Sequence, residues 1–197
     1  GFDDSGSMNG VRSDLVECFN DIVVPGLLGG AADQVGAIRV GGIKFGRRVT
    51  PLWGGGFQPL TTLPRLTDAD YRAMDGNTAL NQGALDAVTA ASSFALQLKQ
   101  RTKAFPEVVI VILSDGANNV APYDAEDVRS VLSKLSIELF TTVFIGFETG
   151  ESVDFNAIAR EMGFREVMQS KRLPGEDEDA QKRRFRNVMK VFSQKLS

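Results

Sequence analysis

The chain has no histidine and a single cysteine, Cys18, in 197 residues. Without imidazole there can be no Ser-His-Asp or Cys-His catalytic site, and without a second thiol no intrachain disulfide or multi-cysteine zinc site. The one cysteine lies on an apolar helical stripe and reads as core; its isolation favours a reducing, cytoplasmic setting. An excess of one charge is also missing. With 22 Lys plus Arg against 25 Asp plus Glu the net charge is -3, so neither nucleic acid nor an anionic membrane is an expected partner. Long hydrophobic runs are lacking as well: the longest, Val108 to Leu113, falls far short of the roughly 20 residues that span a bilayer.

What is present is enough apolar material, 43% of residues, to build one globular core without a staple, so any metal would serve function. Segments of helical and strand period alternate, which is the α/β pattern. Val11, Leu15, Cys18, Phe19, Ile22 and Val23 predict a helix over about Asn9 to Leu27, with Pro25-Gly26 and Gly29-Gly30 marking its exit. Val35 to Phe45 and Val49 to Trp53 predict a hairpin around Gly46-Arg47-Arg48. Gly54 to Asp75 reads as a long connection, of the kind that is functional or mobile, with a helical turn near Asp68 to Met74.

A helix is predicted over about Ala79 to Arg101. The fully apolar Val108 to Leu113 predicts a strand buried on both faces and central in a sheet. Asp124 should cap a helix through Leu135, Ile137 to Phe147 should be a second buried strand, and Phe155 to Met162 a short helix ended by Gly163. Val167 belongs to a last strand, and Phe185, Val188, Met189, Phe192 and Leu196 to a last amphipathic helix. The acidic run Glu176 to Asp179 and the basic residues Lys182, Arg183, Arg184, Arg186 and Lys190 read as a polar linker and a solvated helix face.

Three loops carry the chemistry. Asp3-Asp4-Ser5-Gly6-Ser7-Met8 precedes the first helix, Asp75-Gly76-Asn77-Thr78-Ala79-Leu80 precedes the long one, and Ser114-Asp115-Gly116 follows the apolar strand. In an open parallel sheet such loops gather at the carboxyl ends of the strands. Asp3, Ser5, Ser7, Thr78 and Asp115 together offer two carboxylates and three hydroxyls and no nitrogen or sulfur, a donor set for a hard cation. Alternate residues Asp3, Ser5 and Ser7 can point to one side, and Gly6 permits the tight path between the serines. Asp4, between them, reads as solvated; Asn118 and Asn119 lie close enough in sequence to Asp115 to line the site.

Asp3-x-Ser5-x-Ser7, a distant Thr78 in Asn-Thr-Ala-Leu, and Asp115 in Ile-Leu-Ser-Asp-Gly resemble, in order and context, the metal-ion-dependent adhesion site (MIDAS) of von Willebrand factor type A (VWA) domains. The resemblance covers nearly the whole chain. It implies a doubly wound, Rossmann-like α/β fold: a mostly parallel sheet with one antiparallel edge strand and helices on both faces. It also implies that Ser5, Ser7 and Thr78 approach the ion, Mg²⁺ or else Mn²⁺ or Ca²⁺, while Asp3 and Asp115 act through water or hold the hydroxyls. The family has an apolar strand leading into the first Asp, whereas only Gly1-Phe2 precede Asp3. The expectation is therefore one domain over residues 1–197 whose first strand lies upstream of residue 1.

The function implied is a non-enzymatic, metal-dependent interaction module that binds a partner's Asp or Glu. Bacterial or archaeal members of similar composition suggest an AAA-type ATPase or a stress-response protein as partner, and a cell-surface or secreted role is the alternative setting. Two other readings stand beside it. One is a metal-dependent phosphohydrolase or nucleotide-binding enzyme, although the chain has no Walker A loop and no Lys or Arg inside the three loops. The other is a scaffold that keeps the fold and binds no ion.

Overall fold

The computed structural model describes residues 1–30, 35–116, 118–149, 153–171 and 175–196, except the side chains of residues 35, 178 and 196. The stripe position expected for Leu196 and the part of Glu178 in the acidic run thus lie outside the described residues. In chain order the strands are β1 (Phe2–Asp3), β2 (Arg39–Val40), β3 (Ile43–Phe45), β4 (Val49–Pro51), β5 (Gln58–Pro59), β6 (Val108–Ser114), β7 (Phe140–Phe147) and β8 (Glu166–Ser170). The α-helices are α1 (Arg12–Cys18), α2 (Val24–Gly30), α3 (Leu80–Thr102), α4 (Ala125–Leu132), α5 (Phe155–Met162) and α6 (Glu178–Leu196). Six strands form one sheet in the order β4-β3-β1-β6-β7-β8. All neighbours are parallel except β3 and β4, so the expected fold class holds, including the antiparallel edge.

Strand alternation supplies both layers of the core. Ile110, Ile112 and Phe144 point to one face, where Leu80, Ala84 and Val88 of α3, Val128 of α4 and Phe155 of α5 cover them. Leu113, Val143, Ile145 and Phe147 point to the other, against Leu15 and Cys18 of α1 and Phe185, Met189 and Phe192 of α6. Cys18 is fully buried, as expected. β1 sits between β3 and β6, with Phe2 opposite both Lys44 and Leu113. Among the described residues no helix is long and apolar enough to cross a membrane.

The structure departs from the expected elements where tertiary contacts overrode local signals. The first helical run passes through Pro25-Gly26 and beyond the expected end near Leu27 to finish at Gly30, in the second of the two exit signals. Pro25 has no N–H for an ordinary helical bond. The preceding turn, Phe19–Val23, is widened to a π-helix in which the Val24 N–H reaches Phe19 O, a known way for a helix to absorb such a break. Within it the buried Asn20 brackets the backbone of Leu66, donating to its carbonyl at 2.8 Å and accepting from its N–H at 2.9 Å.

The strand expected from Val35 to Phe45 is broken at Gly41-Gly42, where a Cβ on Gly42 would meet the Trp53 ring at 2.5 Å. Only Ile43–Phe45 joins the hairpin, while Arg39 and Val40 pair with Gln58 and Pro59. The long connection is anchored, with Leu60, Leu66, Tyr71 and Ala73 buried, and its helical turn is at Thr67 to Tyr71. α4 ends at Leu132, short of the expected Leu135. The second buried strand starts at Phe140, because a turn on Ser136 O leaves Ile137 78% exposed. The basic face of α6 is not wholly solvated: Arg186 reaches Asp14 at 3.2 Å and Glu17 at 2.8 Å on α1, and Arg184 reaches Glu176.

Asn20→Ala would strip both partners from a buried backbone unit, so a loss of about 1–3 kcal/mol is expected. Urea unfolding followed by circular dichroism reads this as a lowered midpoint; an unchanged midpoint would show that the 66–75 segment is held by other contacts.

Candidate metal centre

The carboxyl ends of β1, β3 and β6 open on one edge because the three strands are parallel. Backbone bonds stitch the three oxygen-rich loops together there. Asp75 N–H donates to Asp4 O at 3.0 Å, Gly6 N–H to Asp75 O at 2.6 Å, and Asn119 N–H to Thr78 O at 3.1 Å. The Asn119 side chain accepts from Thr78 N–H at 2.7 Å, and Asn118 accepts from Asn81 N–H at 3.2 Å. The two asparagines therefore join the second and third loops.

Hydrogen bonds join four of the five expected residues in one path, three of them through side-chain oxygens. Asp3 Oδ1 accepts from Ser5 N–H at 3.0 Å and Asp3 Oδ2 from the Ser114 hydroxyl at 2.5 Å. Ser5 Oγ lies 3.0 Å from Ser7 Oγ, and Ser7 Oγ donates to Asp115 Oδ1 at 3.0 Å. Thr149, next after β7 and its following Glu148, donates to Asp115 Oδ2 at 2.5 Å. Thr78, 5% exposed, is held at the edge through its backbone.

This arrangement fits a hard divalent cation. Cis oxygens around an octahedral Mg²⁺ with bonds of about 2.1 Å lie about 3.0 Å apart. The Ser5–Ser7 and Ser7–Asp115 separations are both 3.0 Å. Among the described residues no cluster of three or more His, Cys, Asp or Glu side chains could hold an ion, so hydroxyls would have to do much of the work.

The electrostatics point the same way. Asp3 is fully buried, and burial above all pushes its carboxyl up to about 6; hydrogen bonds from Ser114 and Ser5 oppose this and the nearby Asp115 adds to it. Burial, with help from the same carboxylates, also pushes the Tyr71 phenol up. It stays an O–H donor, to Asp3 O at 2.6 Å.

Asp4 is not solvated as expected. Its side chain is 14% exposed and pairs with Lys44 at 3.0 Å, and it accepts from Arg72 N–H at 3.0 Å and Ala73 N–H at 2.7 Å. It thus clamps the approach to the second loop, where Ala73 has φ +50°, a left-handed conformation costly for alanine. Thr149 and Tyr71 escaped sequence reasoning, and Ser114, though placed in the third loop, was given no role. Thr149 carried a usable signal: it is a hydroxyl just past a buried strand, as the third loop is. Tyr71 carried none, since it comes from the middle of a long connection.

A fourth loop also reaches this edge. Gly46 O accepts from Ala79 N–H at 2.7 Å, and Arg47 N–H donates to Asp75 Oδ2 at 2.7 Å. Position 46 must be glycine, since a Cβ there would lie 2.4 Å from Asp75. The three loops lack cations, but the Arg47-Arg48 turn stands beside them.

No family model matches the chain, and no curated protein matches it by sequence. Solved structures do match by shape. Proximal thread matrix protein 1 from the mussel byssus, in a structure with a zinc-occupied MIDAS motif, superposes with a TM-score of 0.60 at 12% identity. The match covers 98% of this chain and 46% of that one, so the chain spans about half the length of that protein. The SpRpn10 VWA domain matches with a TM-score of 0.54 at 10% identity, over 92% of this chain and 89% of that one. At such identities the likeness shows the fold, and the fold is that of a VWA domain.

The raised Asp3 carboxyl has a consequence for metal-free protein. A folded value of about 6 against an ordinary 3.8 means that the neutral form is favoured on folding. That contribution is full below about pH 4 and is lost as pH rises through 6. Asp3→Asn, which cannot ionise, should gain stability relative to the parent by on the order of 1 kcal/mol between pH 5 and 7.5 in EDTA. Paired urea titrations check this, and a difference that is flat or shrinks with pH would contradict the burial assigned to Asp3.

Proposed function

We propose that this edge holds a divalent cation, Mg²⁺ first and Mn²⁺ or Ca²⁺ as alternatives. In this reading the chain is a protein-binding module, not an enzyme, and captures an Asp or Glu side chain of a partner. The observation that carries the reading is the run of side-chain oxygens from Ser5 through Ser7 to Asp115, at cis-octahedral spacing on the open edge of the sheet, with Asp3 bonded to the Ser5 backbone N–H beside it. The VWA fold supports it, as does the zinc-occupied MIDAS motif of the mussel protein.

Each residue has a distinct task. Ser5 and Ser7 offer neutral oxygens, and Thr78 is the third hydroxyl of the set. Asp3, with an oxygen bonded to Ser114 and the other to Ser5 N–H, orients the first loop more than it donates to an ion. Asp115 is aimed by Thr149 and holds Ser7. When bound, the ion supplies positive charge only partly offset by these groups, and hence an attraction for a further carboxylate oxygen. A reducing compartment, which the single buried thiol suits, completes the proposal.

Calorimetric titration of Mg²⁺ and Mn²⁺ into EDTA-stripped protein should give one equivalent bound, lost in Asp3→Ala and Asp115→Ala. Thr149→Val should weaken binding by roughly tenfold or more, as expected for removal of a group that orients a ligand. Capture of an acidic partner should vanish in EDTA. Binding of a partner that ignores EDTA would move the interface elsewhere, and Mg²⁺-dependent phosphatase or ATPase turnover abolished in Asp3→Ala would replace partner capture with phosphoryl transfer.

A further inference from the structure

The Gly46-Arg47-Arg48 turn joins β3 to β4 at the edge that carries the candidate metal centre, and both arginines are exposed. Among the described residues Arg12, Arg65, Arg129, Arg184 and Arg186 each pair with a carboxylate; Arg47 and Arg48, like Arg39, Arg72, Arg101, Arg160, Arg165 and Arg183, do not, and of these only Arg47 and Arg48 line the open cleft beside the turn. The backbone beneath them is nonetheless fixed. Gly46 N–H donates to Arg48 O at 3.1 Å and Gly46 O accepts from Ala79 N–H at 2.7 Å. The Asp75 carboxylate accepts from the Arg47 backbone N–H. Two guanidinium groups are thus held at a rigid turn, one bonded link from the residue that follows Thr78.

Beside the turn lies an open cleft of about 320 Å³, lined by Arg47, Arg48, Ala79, Gln82, Asp86 and Val120; the Asp86 carboxylate in it accepts from the Gln82 side chain at 2.6 Å and forms no ion pair with either arginine. On the second loop Met74, immediately before Asp75, is 75% exposed. An ion site, a pair of free arginines and an apolar side chain therefore share one surface.

We propose that Arg47 and Arg48 form a second anchor for the same partner, so that this edge selects an acidic segment bearing two carboxylates. One would meet the ion and the other the arginines, whose planar donors suit bidentate binding of a carboxylate. The inference rests on the metal-dependent reading above. The two anchors are close in the fold: Ser5 is bridged to Asp75, and the Asp75 carboxylate accepts from Arg47 N–H at 2.7 Å. Side chains two apart on an extended peptide are separated by about 7 Å. Acids at i and i+2 or i+3, about 7 to 10 Å apart on an extended chain, are therefore the spacings to compare.

The test uses three glycine-based, terminally blocked peptides carrying one Glu, Glu at i and i+2, or Glu at i and i+3. They are titrated into ¹⁵N-labelled protein with saturating Mg²⁺ and followed by amide shifts. Mg²⁺ affinity is measured separately by calorimetry. The better two-acid peptide should bind roughly tenfold tighter than the one-acid peptide, the scale of a charge-assisted bidentate contact at a surface. In Arg47→Ala/Arg48→Ala that gain should fall to the twofold statistical advantage of a second acid, with Mg²⁺ affinity and one-acid binding unchanged. A gain no larger than twofold in the parent, or a full gain retained in the double variant, overturns the second anchor. Failure of the parent to bind Mg²⁺, or any peptide in its presence, overturns the underlying reading instead.

Discussion

A buried carboxylate governs the functional edge of this protein. Asp3 ends the short strand between β3 and β6 and is fully enclosed, a position in which an ionised group is costly unless its lone pairs are met. Donors from separate parts of the chain meet them. Ser5 contributes its backbone N–H and Ser114 its hydroxyl, while Tyr71 bonds the Asp3 carbonyl. Satisfying this one residue fixes the turn after β1, the end of β6 and the long connection at a common point. Its raised proton affinity records how incompletely neutral donors compensate the charge.

Rigidity spreads outward from there. Asp4 holds residues 72 and 73 with its carboxylate and binds Lys44 of β3, and Asn20 pins Leu66 from inside the first helical run. The long connection is consequently a built wall that delivers Tyr71 and Asp75 to the edge. On the opposite flank, the Gln181 side chain of α6 donates to Glu148 O, adjacent to the Thr149 that bonds Asp115. Arg186 also ties α6 to α1, the helix that follows the first loop.

The legible part of the molecule was the part written in local or repetitive signals. The apolar run at Val108 to Leu113 announced a central strand, Asp124 a helix start and Gly163 a helix end. Asp3, Ser5, Ser7, Thr78 and Asp115 stood out because oxygen donors lay at turn positions bordering apolar segments. Signals failed where two segments far apart competed for one chain. Pro25 argued for a helix end, but a π turn and packing against α6 carried the helix on. Gly41-Gly42 broke a strand whose composition was otherwise favourable, since only a bare backbone passes under Phe57 and Trp53.

The sequence by itself determined the layered α/β class and the kind of chemistry available, because side-chain periodicity and the inventory of oxygen, nitrogen and sulfur donors belong to the chain whatever its shape. Only the tertiary structure decided which donors meet. Asp115 lies 108 residues from Ser7 and 34 from Thr149, and the Arg47-Arg48 turn reaches Asp75 across 28. Separations of that size leave no periodic trace in a sequence. They are set by strand order and by hydrogen bonds that form only once the sheet has brought its carboxyl ends to one edge.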